Sequence, residues 1–151
     1  MKNGRNHQST PQDLFDWANA RWGPFTLDAC AAEWNAKVSH YYNEETNGLT
    51  APWAGRVWCN PPWNDIAPWA VRAMVQAAHE PAVERAVMLL PARAGRPWWH
   101  YIVAPSARIH PIGRVRFLPP PGEPVGHGGF EDAVFAVFEA PYPTKKKRGK
   151  R

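Results

Sequence analysis

The chain has 151 residues, 44% of them hydrophobic and 13% aromatic, which suits one packed domain and excludes a disordered chain. Six of its 18 Lys and Arg lie in the terminal KKKRGKR; without them 12 basic residues face 13 Asp and Glu, so the overall +5 is carried by a tail on a body of net charge −1. No apolar run approaches the roughly 20 residues that span a bilayer, and the opening MKNGRNHQST lacks the apolar core of an export signal, so a cytoplasmic protein without a membrane partner is expected.

Residues 1–9 read as a flexible arm, 10–143 as the folded domain and 144–151 as a basic, disordered tail. The first helix opens at STPQDLF, with Thr10 as N-cap and Pro11 at the first helical position. Leu14, Trp17, Ala18 and Trp22 form its apolar stripe, and Gly23-Pro24 ends it. FTLDA (25–29) reads as a short strand ending in Asp28, AEWNAKV as a brief helix and SHYY as a weak strand. RVWCN (56–60) is the next strand. Asp65 is placed to cap a helix whose buried face carries Ile66, Trp69, Ala70, Ala73, Met74 and Ala77, with Pro68 harmless in its first turn. RAVMLLPA (85–92) is apolar throughout, as a central strand covered on both faces should be. RPWWHYIVA predicts another helix. Strands near 108–118 and 132–138 flank the stiff, then flexible loop PPPGEPVGHGGFE. This alternation of helices and strands is the pattern of an α/β sheet.

Neither Cys30 nor Cys59 belongs to a CxxC, and no HExxH occurs, so no metal site is expected and both thiols read as free core residues. The segment Asn60-Pro61-Pro62-Trp63 is an unusual corner between a strand and a helix. In an open α/β sheet, ligands bind beyond the carboxyl ends of the strands, and Asp28 and Asn60 both stand at such ends. An Asn amide offers an acceptor, and a Pro residue offers a carbonyl with no competing N–H, on a backbone fixed by its ring. Trp63 adds a flat apolar face. Two acceptors and a stacking plane suit a planar ring bearing an exocyclic amine, such as adenine or cytosine. A duplex buries that amine, so the base must be flipped out or presented single-stranded.

NPPW resembles the (D/N/S)PP(Y/F/W) motif of the S-adenosyl-L-methionine-dependent amino-methyltransferases. STPQDLF, FTLDACAAEWNAK, NGL followed by VWCNPPW, VMLLPAR and GRVRF further resemble, in order, the phage-type DNA N6-adenine methyltransferases. The resemblance covers roughly residues 8–139. It implies a Rossmann-like class I methyltransferase: α/β, a compact and mostly parallel sheet with helices on both faces and a C-terminal antiparallel strand pair. It further implies that Asn60, Pro61, Pro62 and Trp63 form the catalytic corner, with Asn60 and the Pro61 carbonyl accepting from the N6 amine and Trp63 stacking on the base. Thr10, Pro11, Asp28 and Ala29 would hold the methionine end of the cofactor, and Cys30 would also contact the cofactor. Glu44 or Glu45 would take the ribose hydroxyls, with Glu45 the expected contact, and Asn47 would lie near the cofactor's adenine.

Nothing in DACAAEW supplies the glycine-rich turn of wider methyltransferases, and no segment is long enough for a separate target-recognition domain. Specificity for DNA would come from loops such as GEPVGHGGFE or from the GRVRF hairpin. Arg114 and Arg116 alternate on a strand and either face solvent or contact phosphates. Lys145, Lys146, Lys147 and Arg148 suit a phosphate backbone, though a solubility tail has the same composition. Cytosine N4 or RNA adenine as acceptor, and a non-catalytic nucleic-acid-binding relic of the fold, remain open alternatives. Oligomeric state is not readable.

Overall fold

The computed structural model describes residues 8–124 and 131–140. The arm before Gln8, the centre of the GEPVGHGGFE loop with His127, and the basic tail with Lys145, Lys146, Lys147 and Arg148 lie outside the described residues. Five strands form one sheet in the order β1-β2-β3-β5-β4, comprising β1 (Leu27–Asp28), β2 (Gly55–Cys59), β3 (Val83–Pro91), β4 (Arg108–Arg114) and β5 (Asp132–Phe138). β1 and β3 each pair parallel to β2, whereas β5 pairs antiparallel to both β3 and β4. It follows that β4 runs the same way as β1, β2 and β3, and β5 is the one reversed strand. The carboxyl ends of β1 to β4 therefore share a rim, and β5 starts from it.

The period-two alternation of strand side chains sorts the core into two layers. Ala86, Met88 and Leu90 of β3 join Val57 and Cys59 of β2 beneath helix α2 (Ala67–His79). Val87 and Leu89 face the other way with Trp58 and Phe135, against helix α1 (Gln12–Trp22). α2 buries Ile66, Trp69, Ala70, Ala73 and Ala77, the face its spacing predicts, with Met74 half-buried beside them. On α1 the buried residues are Phe15, Ala18 and Trp22, while Trp17 is 43% exposed. The predicted stripe is rotated by part of a turn, because Trp17 lies over His110 and Phe135 at the margin of the sheet instead of entering the core.

Several local expectations are corrected. The cap position of α1 is Pro11, one residue later than predicted, and no side chain caps the helix. Thr10 is drawn into the protein, 2% exposed, where its hydroxyl has another partner. Ile66, not Asp65, precedes α2. AEWNAKV forms a hydrogen-bonded turn instead of a helix: Asn35 and Ala36 donate to the Ala32 carbonyl, and the Lys37 N–H is taken by Asp28, so no further helical turn can form. SHYY contributes an isolated parallel bridge, Tyr41 to Asp28, on the open side of β1. The WWHYIV segment winds as a wide π-helical turn (Trp99–Val103) running into the short α3 (Ala104–Ser106), with Trp98 and Trp99 packed on the core. β4 stops at Arg114; its bulge at Pro111/Gly113 and its proline suit an edge strand, where a missing N–H costs no ladder bond.

Candidate active site

β1 is short, yet its end is held from both sides. Ala29 N–H donates to Trp58 on β2 (2.9 Å), while Asp28 N–H donates to His40 (3.0 Å) and the Asp28 carbonyl accepts from Tyr42 (2.9 Å). The Asp28 side chain, 2% exposed, accepts the N–H groups of Lys37 (3.0 Å) and Cys30 (3.3 Å). Burial pushes its carboxyl from 3.8 up to about 7, against the opposing pull of those two N–H groups and the nearby Lys37 charge. Burial also pushes the Cys30 thiol up to about 12, helped by the negative charges of Asp28 and Glu44, and raises Cys59 well above its ordinary value. Both cysteines are free. Burial thus disfavours the thiolate, the nucleophilic form, at both positions.

One register step away, β2 ends at Cys59 and the chain turns at Asn60. The Asn60 NH₂ donates to the Thr10 hydroxyl (3.1 Å), a contact between residues 50 apart in sequence. Asp65 N–H closes the corner on the Pro62 carbonyl (3.0 Å). Trp63 is half-buried and anchored at its rim: the indole N–H donates to Leu89 (3.3 Å), and its ring meets Phe117 edge-on at 4.8 Å. Arg93 Nη1 donates to the Trp63 carbonyl (2.9 Å), and the same guanidinium grips Glu131 with its remaining donors.

These pieces enclose a cavity of about 310 Å³ at the carboxyl ends of β1 and β2, at the low end of the sizes typical of small-molecule sites. Of the residues the sequence singled out, Thr10, Asp28, Cys30, Asn47, Asn60, Pro61, Pro62 and Trp63 line it together. Pro11 and Ala29 are adjacent in sequence but do not form its wall. Glu44 is at the wall and Glu45 is not; Glu45 N–H instead joins the turn closed by the Asn43 carboxamide (3.0 Å). Asn47 reaches the wall in a left-handed conformation (φ 52°), which asparagine tolerates better than most residues. Arg114 is the exposed last residue of β4 and Arg116 is exposed just beyond it, on the same rim.

Sequence reasoning missed Lys37, Asn43 and Phe117, all in the wall. Phe117 could have been found, since it ends the GRVRF stretch. Lys37 and Asn43 carry no local signal, and their place follows from the turn wrapped on Asp28. Among the described residues no cluster of His, Cys, Asp and Glu could hold a metal ion, and no helix is long and apolar enough to cross a membrane.

Two curated phage proteins are similar to this chain. A DNA N-6-adenine-methyltransferase of Haemophilus phage HP1 (strain HP1c1) is 35% identical over 111 residues, covering 72% of this chain and 62% of the relative. One of the same name from Escherichia phage T1 is 33% identical over 97 residues, covering 63% and 40%. The chain thus spans less than two thirds of the length of either. The sequence profile of the family described as DNA N-6-adenine-methyltransferase (Dam) matches residues 1–147. The chain therefore belongs to the DNA N-6-adenine-methyltransferase family.

Proposed function

We propose that this protein transfers a methyl group from S-adenosylmethionine to the N6 amine of adenine in DNA, on a Rossmann-like methyltransferase fold. The observation that carries the reading is the convergence of Asp28 and the Asn60–Trp63 corner in one cavity at the ends of adjacent strands. The names of the two phage relatives supply the acceptor base; the corner itself recognises an amine on a planar ring.

The donor set fits the cofactor. Asp28 is a buried carboxyl with a value near 7, so it is readily ionised by a neighbouring cation and suits the methionine ammonium. Of the other residues in the wall, Lys37 would take the cofactor's carboxylate, Glu44 its ribose hydroxyls, and Asn43 and Asn47 its purine. When bound, the sulfonium supplies an electrophilic methyl whose transfer breaks the sulfur–carbon bond and leaves a neutral thioether.

The protein's share is positioning. Asn60 Oδ1 and the Pro61 carbonyl accept the two amine hydrogens, drawing the nitrogen lone pair out of conjugation so that it can form the new nitrogen–carbon bond. Trp63 and Phe117 form the aromatic walls against which the base is held. The proton left on nitrogen departs to solvent, since no basic side chain is required once the bond has formed. Arg114 and Arg116 lie on the rim where a DNA backbone would pass, and the basic tail would add salt-sensitive, sequence-independent affinity.

The test is methylation of unmethylated plasmid with labelled S-adenosylmethionine, followed by digestion and mass spectrometry of nucleosides. N6-methyladenine from wild type and a strongly reduced, still measurable yield from folded Asn60→Ala is the expected result. N4-methylcytosine would move the acceptor to cytosine. No product on DNA or RNA, with no thermal shift by cofactor, would leave a nucleic-acid-binding relic.

A further inference from the structure

The segment Gln8–Thr10 runs beside the cavity as a strap, with Gln8 and Thr10 in its wall. Ser9 pairs with Leu118 through both backbone hydrogen bonds (2.8 and 2.9 Å), next to Phe117. The Gln8 carbonyl accepts from the Asn35 carboxamide (3.2 Å), within the turn that wraps Asp28. Between these ties, Thr10 is 2% exposed and accepts the Asn60 NH₂ at 3.1 Å.

We infer that Thr10 is a positioning residue for methyl transfer, acting through Asn60 by engaging the nitrogen end of its amide and so directing Oδ1 to the target amine. This rests on the proposed reading of Asn60 as an amine acceptor and assigns Thr10 a role distinct from holding the methionine end of the cofactor. A carboxamide has a donor end and an acceptor end of nearly equal shape. If it turned over, its NH₂ would face the substrate's NH₂, two donors opposed, and the acceptor that prepares the nitrogen would be lost. A hydroxyl can meet either end of an amide; here it accepts from the NH₂ at 3.1 Å, which holds the amide plane and leaves Oδ1 as the opposite end. The strap can serve as that fixed point because its backbone is bridged on one side and continues into α1 on the other.

The role makes Thr10→Val and Thr10→Ser informative. Valine keeps the shape and cannot accept; serine keeps the hydroxyl. Single-turnover methylation at saturating DNA and cofactor should fall about 10- to 100-fold in Thr10→Val, with S-adenosylmethionine Kd changed by less than about threefold, and return to within about threefold of wild type in Thr10→Ser. Adding Thr10→Val to Asn60→Ala should cause no further loss, as expected when one residue acts only through the other. Hydrogen exchange of the Asn60 side-chain amide, followed by NMR in the protein without cofactor, should be slow in wild type and Thr10→Ser and fast in Thr10→Val. The inference is overturned if Thr10→Val keeps the wild-type rate, if its loss lies in cofactor Kd, if the losses multiply in the double variant, or if Asn60 exchange is unaltered. A wild type that transfers no methyl sinks the proposed function instead, and the exchange measurement then decides the Thr10–Asn60 contact by itself.

Discussion

Arg93 reaches from the end of β3 to hold the backbone carbonyl of Trp63 at 2.9 Å, while its remaining N–H donors clasp Glu131, the residue just before β5. The aromatic of the corner is thus tied to the far side of the rim by one planar, forked cation. Lysine cannot reproduce this, having a single point of attachment. Arg93→Lys is expected to lower methyl-transfer rate about tenfold with little change in cofactor Kd, measured by single turnover and calorimetry. Glu131→Gln should have a smaller effect, because the bond from Arg93 to Trp63 survives.

Asp28 gives the protein opposite pH trends in stability and in binding. Its carboxyl holds a proton more tightly in the folded state (about 7) than in the unfolded chain (3.8), so folding takes up a proton between those values. The contribution of this group to stability is therefore greatest at low pH and declines as pH rises through that window, by at most roughly 4 kcal/mol. Thermal melts of wild type and Asp28→Asn from pH 4 to 8 should differ by a term of this sign, the wild type losing ground as pH rises. A difference that grows in the wild type's favour toward pH 8 would contradict the buried, uncompensated acid.

Cofactor binding should run the other way. Only the ionised carboxylate attracts an ammonium group, so S-adenosylmethionine Kd should improve as pH rises toward 7 and level off above it. Calorimetric titrations between pH 5.5 and 8.5 check this; Asp28→Asn should bind weakly and show a flat profile.

Gly48 lies where the Asn47 loop meets β1. A Cβ there would sit 2.0 Å from the Ala29 carbonyl oxygen, and the Gly48 carbonyl is itself held by the Trp53 indole N–H (2.7 Å). Gly48→Ala must push the loop off β1, moving Asn47 and Glu44 at the cavity wall. We expect a loss of about 2–3 kcal/mol in denaturant unfolding and weaker cofactor binding. Wild-type values for both would show that the loop is not seated as described.

Trp63 offers a graded test. Trp63→Phe keeps an aromatic face and loses the hydrogen bond to Leu89, so its rate should fall less than about tenfold. Trp63→Ala removes the ring and its edge-on contact with Phe117, and should fall by about 100-fold or more on DNA. Equal losses in the two variants would argue that the indole N–H, and not the ring face, is what the corner needs.

Much of the fold was legible because its signals are local. The run RAVMLLPA had to be a central strand, since a segment apolar on both faces needs cover on both faces, and β3 has it. The spacing in α2 specified its buried face for the same reason. The short 25–29 strand and the wrapping of AEWNAKV were less legible. There the backbone follows hydrogen bonds to Asp28 and its neighbours, which override a modest helix propensity.

By itself the sequence determined the chemistry on offer: a carboxylate at one strand end, an amide, two prolines and an indole at the next, in an order that resembles the methyltransferase family. Those are properties of residue type and spacing, and they need no partner to be read. Only the tertiary structure decided which groups face one another. It chose Glu44 over Glu45 for the cavity wall, brought Lys37 and Phe117 to it, and set Thr10 against Asn60 across 50 residues of chain. Such pairings depend on how two distant segments cross, and packing settles that crossing with no trace in either segment alone.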